Sequence, residues 1–410
     1  MSDITLLNEC LACGSKNLNT LLDLGNQPLA NAYTDSKKEK EKTYPLRTNV
    51  CTYCFHVQLT HVVNPALIYK DYAYVSGTSK TYLEYMEWFA NFVEEESYFE
   101  GVFDIGCNDG SQLDIFKKNG HVTYGIDPAE NLWPLSSKNH HVYCGFFDDG
   151  FIKEKTFFRD SIDVIVSQNS FAHNPNPLQF LLNCKKIMSY NGSIFIQTSQ
   201  ADMILNGEFD TIYHEHISFY NIKSMEKLCE RAGLHLVNAI KTPIHGISYL
   251  FIITQSNAYQ RPNLIANAIE METKAGLYNK STYYQFTQKS NWITNSLAEM
   301  IQSKRNDGYT VIGYGAAAKG NTLLNFSKIK LDIIIDDNSL KQNKFAPGSK
   351  AIILSRDSVK KELQLLNPKK ILFIPLAWNF YDEIRNKIKE FRNNPEDQFI
   401  KYFPIVQVSN

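Results

Sequence analysis

Two cysteine pairs stand close to the N-terminus, Cys10 with Cys13 and Cys51 with Cys54. Each CxxC turn brings two soft thiolates together, and four such donors suit a tetrahedral zinc ion in a closed site. A closed site leaves no position for water, so its work is folding, not catalysis. A redox pair or plain thiols are the competing readings. His56 is the alternative fourth ligand. The other four cysteines, Cys107, Cys144, Cys184 and Cys229, are scattered and read as small buried hydrophobes. A secreted disulfide framework would not be confined to the start of so long a chain.

The segment Phe103-Asp104-Ile105-Gly106-Cys107-Asn108-Asp109-Gly110 reads as a strand end, a glycine turn and the start of a helix. Such a loop, with an acidic strand end, is the cofactor turn of class I methyltransferases, which use S-adenosylmethionine. Gly106 lets the backbone pass close to the amino-acid part of that cofactor. Asp104 suits its ammonium, and N–H groups from Asn108 onward suit its carboxylate. Asp127 ends the next strand, where a carboxylate accepts both ribose hydroxyls. Phe147 and Asp148 fall where the adenine would be covered and its amino group received. An NAD site is disfavoured, because the loop lacks GxGxxG.

Proton-transfer groups concentrate in Tyr213-His214-Glu215-His216. The run is not HExxH and does not set two histidines one helical turn apart for zinc. It offers a histidine base with neighbours able to orient it. A hydrogen-bonded loop without chemistry is the plainer reading. A second cluster runs from Asn169 to Pro175. It follows a strand, so Asn169 and His173 should face the ligand crevice at the strand C-termini. Asn169 is counted with the cofactor residues and His173 with the catalytic ones. For a lone histidine, a surface or core role is the competing reading.

A second glycine turn, Gly313-Tyr314-Gly315-Ala316-Ala317-Ala318-Lys319-Gly320, fits a dinucleotide fingerprint in its GxGxxA form. Asp336 ends the following strand, and Lys319 would add positive charge for a pyrophosphate. NAD and a sugar nucleotide both satisfy this chemistry.

The elements that must position these groups follow from the alternation of apolar runs. Strands are expected at 101–105, 122–126, 162–167 and 193–198, with helices at 81–99 and 109–118. A second alternation runs through 309–313, 333–336 and 370–375. Both read as parallel sheets wound by helices. The expected order is a zinc module at 1–64, a methyltransferase domain at 65–255, a helical connector at 256–305 interrupted at Gly276, and a Rossmann-like domain at 306–410. The fold class is α/β, with a zinc module ahead of two Rossmann-like domains. A length of 410 residues agrees with several domains. Hydrophobic residues at 43% and charged residues at 21% are ordinary for a globular chain. A net charge of -1 gives no reason to expect nucleic acid or an anionic membrane as partner. No apolar run approaches the roughly 18 residues of a spanning helix. The N-terminus carries no basic and apolar leader, which favours the cytoplasm. A monomer is expected.

The whole chain resembles the sugar C-methyltransferases of deoxysugar biosynthesis, which methylate C3 of 4-keto-sugar nucleotides. The resemblance rests on Cys-Leu-Ala-Cys-Gly at 10–14, Asp-Leu-Gly-Asn-Gln-Pro-Leu-Ala-Asn at 23–31, Tyr-Val-Ser-Gly-Thr-Ser at 74–79, and Phe-Asp-Thr-Ile-Tyr-His-Glu-His at 209–216. It continues in the second glycine turn, in Asp-Asp-Asn-Ser-Leu-Lys-Gln at 336–342, in Pro347-Gly348, and in Leu-Ala-Trp-Asn-Phe at 376–380. It implies S-adenosylmethionine and structural zinc as cofactors and a nucleotide-linked keto-sugar as substrate. Gly313, Gly315, Lys319 and Asp336 would then serve the nucleotide sugar. The histidine matching His216 is the family's favoured base, and residues matching His173, Tyr213, Glu215 and a tyrosine near Tyr74 line the site. Two segments depart. Phe195-Ile196-Gln197-Thr198-Ser199 stands where the family often has Glu-Val-Pro, and His245-Gly246-Ile247-Ser248 where it often has His-Gly-Gly-Ser. The implied chemistry is removal of the C3 proton by His216 and methylation of the enolate. A sugar O-methyltransferase is one rival, and a non-catalytic or NAD-using sugar-nucleotide-binding protein is another.

Overall fold

A computed structural model describes residues 3–78, 80–199, 202–244, 246–256, 261–366 and 368–410. Ser79 and His245, both named above, lie outside the described residues. The chain opens with β1 (Ile4–Leu6), β2 (Leu18–Pro28), β3 (Thr43–Cys51), β4 (Val57–Leu59), β5 (His61–Val63) and α1 (Ala66–Tyr69). Next come α2 (Lys80–Glu96), β6 (Gly101–Ile105), α3 (Ser111–Lys118), β7 (Val122–Asp127), α4 (Trp133–Ser136), β8 (His141–Cys144), α5 (Asp149–Glu154), β9 (Ile162–Gln168), α6 (Pro177–Ile187) and β10 (Met188–Ser199). They are followed by α7 (Met203–Asn206), β11 (Ser218–Phe219), α8 (Ile222–Ala232), β12 (His235–Thr242), β13 (Ser248–Thr254), α9 (Pro262–Lys274) and α10 (Lys280–Asn306). The chain closes with β14 (Thr310–Tyr314), α11 (Ala318–Ser327), β15 (Ile333–Ile335), β16 (Ile352–Leu354), α12 (Arg356–Leu366), β17 (Ile371–Pro375), α13 (Tyr381–Phe391), β18 (Gln398–Lys401) and β19 (Gln407–Ser409).

These elements form two compact units. The first holds residues 1–20, 48–202 and 215–279, the second 21–47, 203–214 and 280–410. This differs from the four consecutive parts expected. Residues 21–47 and 203–214 join the second unit, and the expected connector divides, α9 falling in the first unit and α10 in the second. Gly276, at φ 84, marks the break between those helices. Apolar periodicity reveals an element's buried face but not the body that covers it, which is why the inserted segments escaped the sequence reading.

In the first unit a seven-stranded sheet has the order β12-β13-β10-β9-β6-β7-β8. β6 to β10 are parallel, and β13 runs antiparallel between β10 and β12. The order of strand connection reverses between the parallel β6 and β9, so the ligand crevice lies outside their C-terminal ends. This is the class I methyltransferase arrangement. β9, Ile-Asp-Val-Ile-Val-Ser-Gln, is apolar and covered on both faces, as a central parallel strand must be. α2 turns Tyr82, Tyr85, Met86, Phe89, Ala90 and Val93 inward at helical spacing against Val164, Val166 and Phe195.

In the second unit a six-stranded sheet has the order β16-β15-β14-β17-β18-β19. All pairings are parallel except that of β18 with β19. Its reversal point is between β14 and β17. Among the described residues no helix is long and apolar enough to cross a membrane.

Candidate functional site

The four thiols of Cys10, Cys13, Cys51 and Cys54 converge until their sulfurs lie within 4.8 Å of one another. Cys10 Sγ is 3.5 Å from Cys54 Sγ, and Cys13 Sγ is 3.6 Å from Cys51 Sγ. Tetrahedral thiolates on zinc stand about 3.8 Å apart, from Zn–S bonds of about 2.3 Å. The donor set therefore fits the ion. The Cys13 and Tyr53 N–H groups point at Cys10 Sγ and Cys51 Sγ, each at 3.5 Å, as suits sulfurs carrying negative charge. His56 is no ligand: its Nε2 meets Ser218 Oγ at 3.2 Å. Cys107, Cys184 and Cys229 are buried as expected, whereas Cys144 is exposed.

The cofactor turn lies between β6 and α3. Gly106 takes φ 87, and a Cβ there would stand 2.5 Å from Ser170 Cβ. Asp104 is 2% exposed and its Oδ1 has no partner. Burial, with Asp127 nearby, pushes its carboxyl up to about 8. A buried acceptor without a donor and a cradle only glycine can line fit the ammonium of S-adenosylmethionine. Asp127 accepts the Asn108 N–H on Oδ2 at 2.9 Å and the Ala129 N–H on Oδ1 at 2.8 Å, which fixes its carboxylate beside the cofactor turn. Asn108, at φ 50, uses its side chain on protein instead: Oδ1 accepts the Ser76 N–H at 3.0 Å and Nδ2 donates to the Tyr74 carbonyl at 3.1 Å. Asp109 Oδ2 adds the Gly77 N–H at 2.9 Å. The Tyr74–Gly77 loop is thus fastened to the cofactor turn, with Tyr74 39% exposed.

At the adenine end the structure differs from expectation. Phe147 is a core residue, its ring centroid 6.0 Å from Phe103 and 5.4 Å from Phe180. Phe146 is the exposed member of the pair. Asp148 caps α5, its Oδ1 accepting the Phe151 N–H at 3.0 Å. An Asx residue before a helix serves that end first. Asn169, at φ 54, donates its N–H to Gln197 Oε1 at 3.1 Å and its Nδ2–H to Tyr82 Oη at 3.0 Å.

His173 and His216 come together, their centroids 5.3 Å apart. The His173 ring stacks on Tyr69 at 5.6 Å and 10°. Its Nε2 is buried without a partner, and burial lowers its pKa to about 4. The imidazole is therefore neutral at pH 7, with one nitrogen open to a ligand. Glu215 is 3% exposed and accepts the Tyr72 phenol on Oε2 at 2.7 Å, while its carbonyl accepts the Tyr69 phenol at 3.4 Å. Tyr69 and Tyr72 were missed by the sequence reading; their signal was the tyrosine density at 69–74. His214 is buried and bonds the Tyr44 carbonyl at 3.2 Å, a structural role. Tyr213 and His214 belong to the second unit, Glu215 and His216 to the first.

In the second unit the glycine turn is largely satisfied from within. Gly313 is required by close packing, since a Cβ would meet Leu331 and Leu376 at 3.0 Å. Gly315 takes φ 89 and donates its N–H to the Ile335 carbonyl at 2.7 Å. Asp336 accepts the Ala316 N–H at 2.7 Å and the Asn338 N–H at 2.8 Å. The Ala316 carbonyl receives the Tyr33 phenol at 2.6 Å and Lys341 Nζ at 2.9 Å. Lys319 sits 5.0 Å over the Trp378 ring. Burial lowers its pKa, and Asp210 and Glu208 oppose that shift. Asp210, fully buried, accepts the Trp378 Nε1–H at 2.9 Å. The expected cationic partner of a pyrophosphate thus already faces a carboxylate.

Three family models match the chain. One described as "Putative zinc binding domain" covers residues 10–69, "Methyltransferase domain" covers 79–239, and "C-methyltransferase C-terminal domain" covers 243–404. C-methyltransferase NovU of Streptomyces niveus is 28% identical over 408 residues, covering 96% of this chain and 95% of that protein. The ubiquinone biosynthesis O-methyltransferase of Histophilus somni (strain 2336) is 26% identical over 137 residues, which is 31% of this chain and 55% of that protein. Among solved structures, the PH0226 protein of Pyrococcus horikoshii OT3 is 12% identical, with a TM-score of 0.37, and the match covers 45% of this chain and 95% of that one.

Proposed function

This chain belongs with the S-adenosylmethionine-dependent C-methyltransferases, and from that premise we propose that it methylates C3 of a nucleotide-linked 4-keto-sugar through an enolate. The observation that carries the reading is the pairing of His173 and His216 beside the buried Glu215, in the same unit as the cofactor turn. S-adenosylmethionine, when bound, supplies the electrophilic methyl group. Asp104 takes its ammonium and Asp127 its ribose hydroxyls, while Gly106 keeps the approach open. Phe146 is the better placed of its pair to cover the adenine, because Phe147 is committed to the core.

On the acceptor side, the 4-keto group acidifies the C3 hydrogen. His216 takes that proton and leaves the C3–H electron pair in the enolate, whose carbon would accept the methyl that bound S-adenosylmethionine supplies, with the thioether as leaving group. His173, neutral and with Nε2 open, donates to the oxygen that gains charge. Glu215 orients the base, with Tyr72 holding its carboxylate. Tyr74, in the same unit as the histidines, is assigned to the sugar.

Incubation with methyl-labelled cofactor and a panel of nucleotide-linked keto- and hydroxy-sugars tests this. Label on C3 of a 4-keto-sugar, located by NMR, is the expected result. Label on a hydroxyl oxygen would replace the carbon acceptor by an oxygen one and leave fold and cofactor unchanged.

A further inference from the structure

The zinc knuckle at Cys51–Cys54 is wired to both histidines by a short hydrogen-bonded ladder. Asn221 donates Nδ2–H to the carbonyls of Cys54 and Phe55, at 3.2 and 2.8 Å. One residue on, His56 Nε2 meets Ser218 Oγ at 3.2 Å. β4 then pairs with β11 in antiparallel register, Val57 opposite Phe219 and Gln58 opposite Ser218. Gln58 also grips the first knuckle, accepting the Leu11 N–H at 2.8 Å and donating to the Glu9 carbonyl at 3.0 Å.

The ladder ends at the histidines. Ile217, next after His216, has both backbone groups fixed: its carbonyl accepts the Leu59 N–H and its N–H donates to the Ala172 carbonyl, each at 2.9 Å. Ala172 directly precedes His173. His216 and His173 therefore hang from one hydrogen-bonded strip whose far edge is the metal-binding turn. We infer that the zinc knuckle sets the spacing of the His216–His173 pair, with Asn221 as the positioning residue that ties them. The inference rests on the reading of these histidines as the proton-transfer pair.

Capping of α8 does not explain Asn221. The cap needs Oδ1, which accepts the Ser224 N–H at 2.7 Å, and the return bond from the Asn221 N–H to Ser224 Oγ at 3.1 Å. A serine caps a helix about as well as asparagine. The two Nδ2 bonds are additional, and both end on the knuckle. That turn holds Phe55 at φ 58, a strained conformation for a bulky side chain. Four thiolates drawn onto one ion supply the force that keeps it there.

Asn221→Ser separates the two roles, because it keeps the cap and removes the tie. In the full-length zinc-loaded protein, zinc content and cofactor affinity should stay within about twofold of wild type. The His216 and His173 imidazole resonances should shift in long-range proton–nitrogen spectra. In turnover, kcat should fall about 10- to 100-fold at unchanged KM for the cofactor, the scale of a displaced reacting group. Ser218→Ala, which removes only the hydroxyl facing His56, is the second variant and should move the same resonances. Unmoved imidazole resonances in a zinc-loaded variant overturn the inference, as does a kcat that falls only in step with zinc loss. The spectra need no substrate, so they decide the inference even if the wild-type protein methylates no keto-sugar.

Discussion

Tyr72 and Glu215, 143 residues apart in sequence, meet at 2.7 Å, the phenol donating to the carboxylate Oε2. Glu215 is almost wholly buried, so that donor bears directly on its orientation. Tyr72→Phe should cost about 1.5–3 kcal/mol of transition-state stabilisation, the range for a hydrogen bond to a charged group. Methyl transfer should slow about 10- to 100-fold while calorimetric cofactor affinity stays unchanged. Wild-type kinetics in the variant would remove Tyr72 from the account.

Four converging thiols with knuckle N–H groups aimed at two of the sulfurs call for one metal ion. Metal analysis of protein purified without chelator should give one zinc per chain. Cys51→Ala should lose the ion and lower the yield of folded protein, since metal binding energy is folding energy in such modules. Metal-free wild-type protein that folds normally would contradict this.

Asp104 is protonated at neutral pH in the cofactor-free protein, because burial raises its pKa to about 8. An ammonium placed beside it lowers that value, so binding expels a proton. Affinity for S-adenosylmethionine should therefore rise as pH rises toward about 8. Calorimetry in buffers of different ionisation enthalpy should show proton release near pH 7, and Asp104→Asn should abolish it.

His173 has a folded-state pKa near 4, below the ordinary 6.5, because burial penalises its charged form. Between those values the unfolded chain holds a proton that the folded chain lacks, so stability rises with pH across that window. The contribution is complete above about pH 6.5 and is lost as pH falls toward about 4. From pH 7 to 5 the loss assigned to this group is about 2 kcal/mol. Urea titrations of wild type and His173→Gln should show it as a shallower pH dependence in the variant. The comparison cancels acid release of zinc, which both proteins share.

Both sheets were legible because their central strands are short apolar runs ending in glycine turns, as at Phe103–Gly106 and Val311–Gly315. The cysteine spacing carried the metal site in the same way. What stayed hidden was local competition for polar groups. Asp148 is taken by a helix end and the Asn108 side chain by a loop backbone, while Lys319 is engaged by a buried carboxylate. A sequence lists donors and acceptors without saying which the protein itself consumes. The tie from Asn221 to the knuckle, spanning 167 residues, left no local pattern to read.

Hydrogen exchange at C3 isolates the removal of its proton by His216. A nucleotide-linked 4-keto-sugar in deuterated water should exchange its C3 hydrogen with the wild-type protein. His216→Asn should slow both exchange and methyl transfer by about 10² to 10⁴, the usual worth of a general base, while cofactor affinity survives. Near-normal exchange and turnover in His216→Asn would contradict the account and pass the base to another group, with His173 next in line.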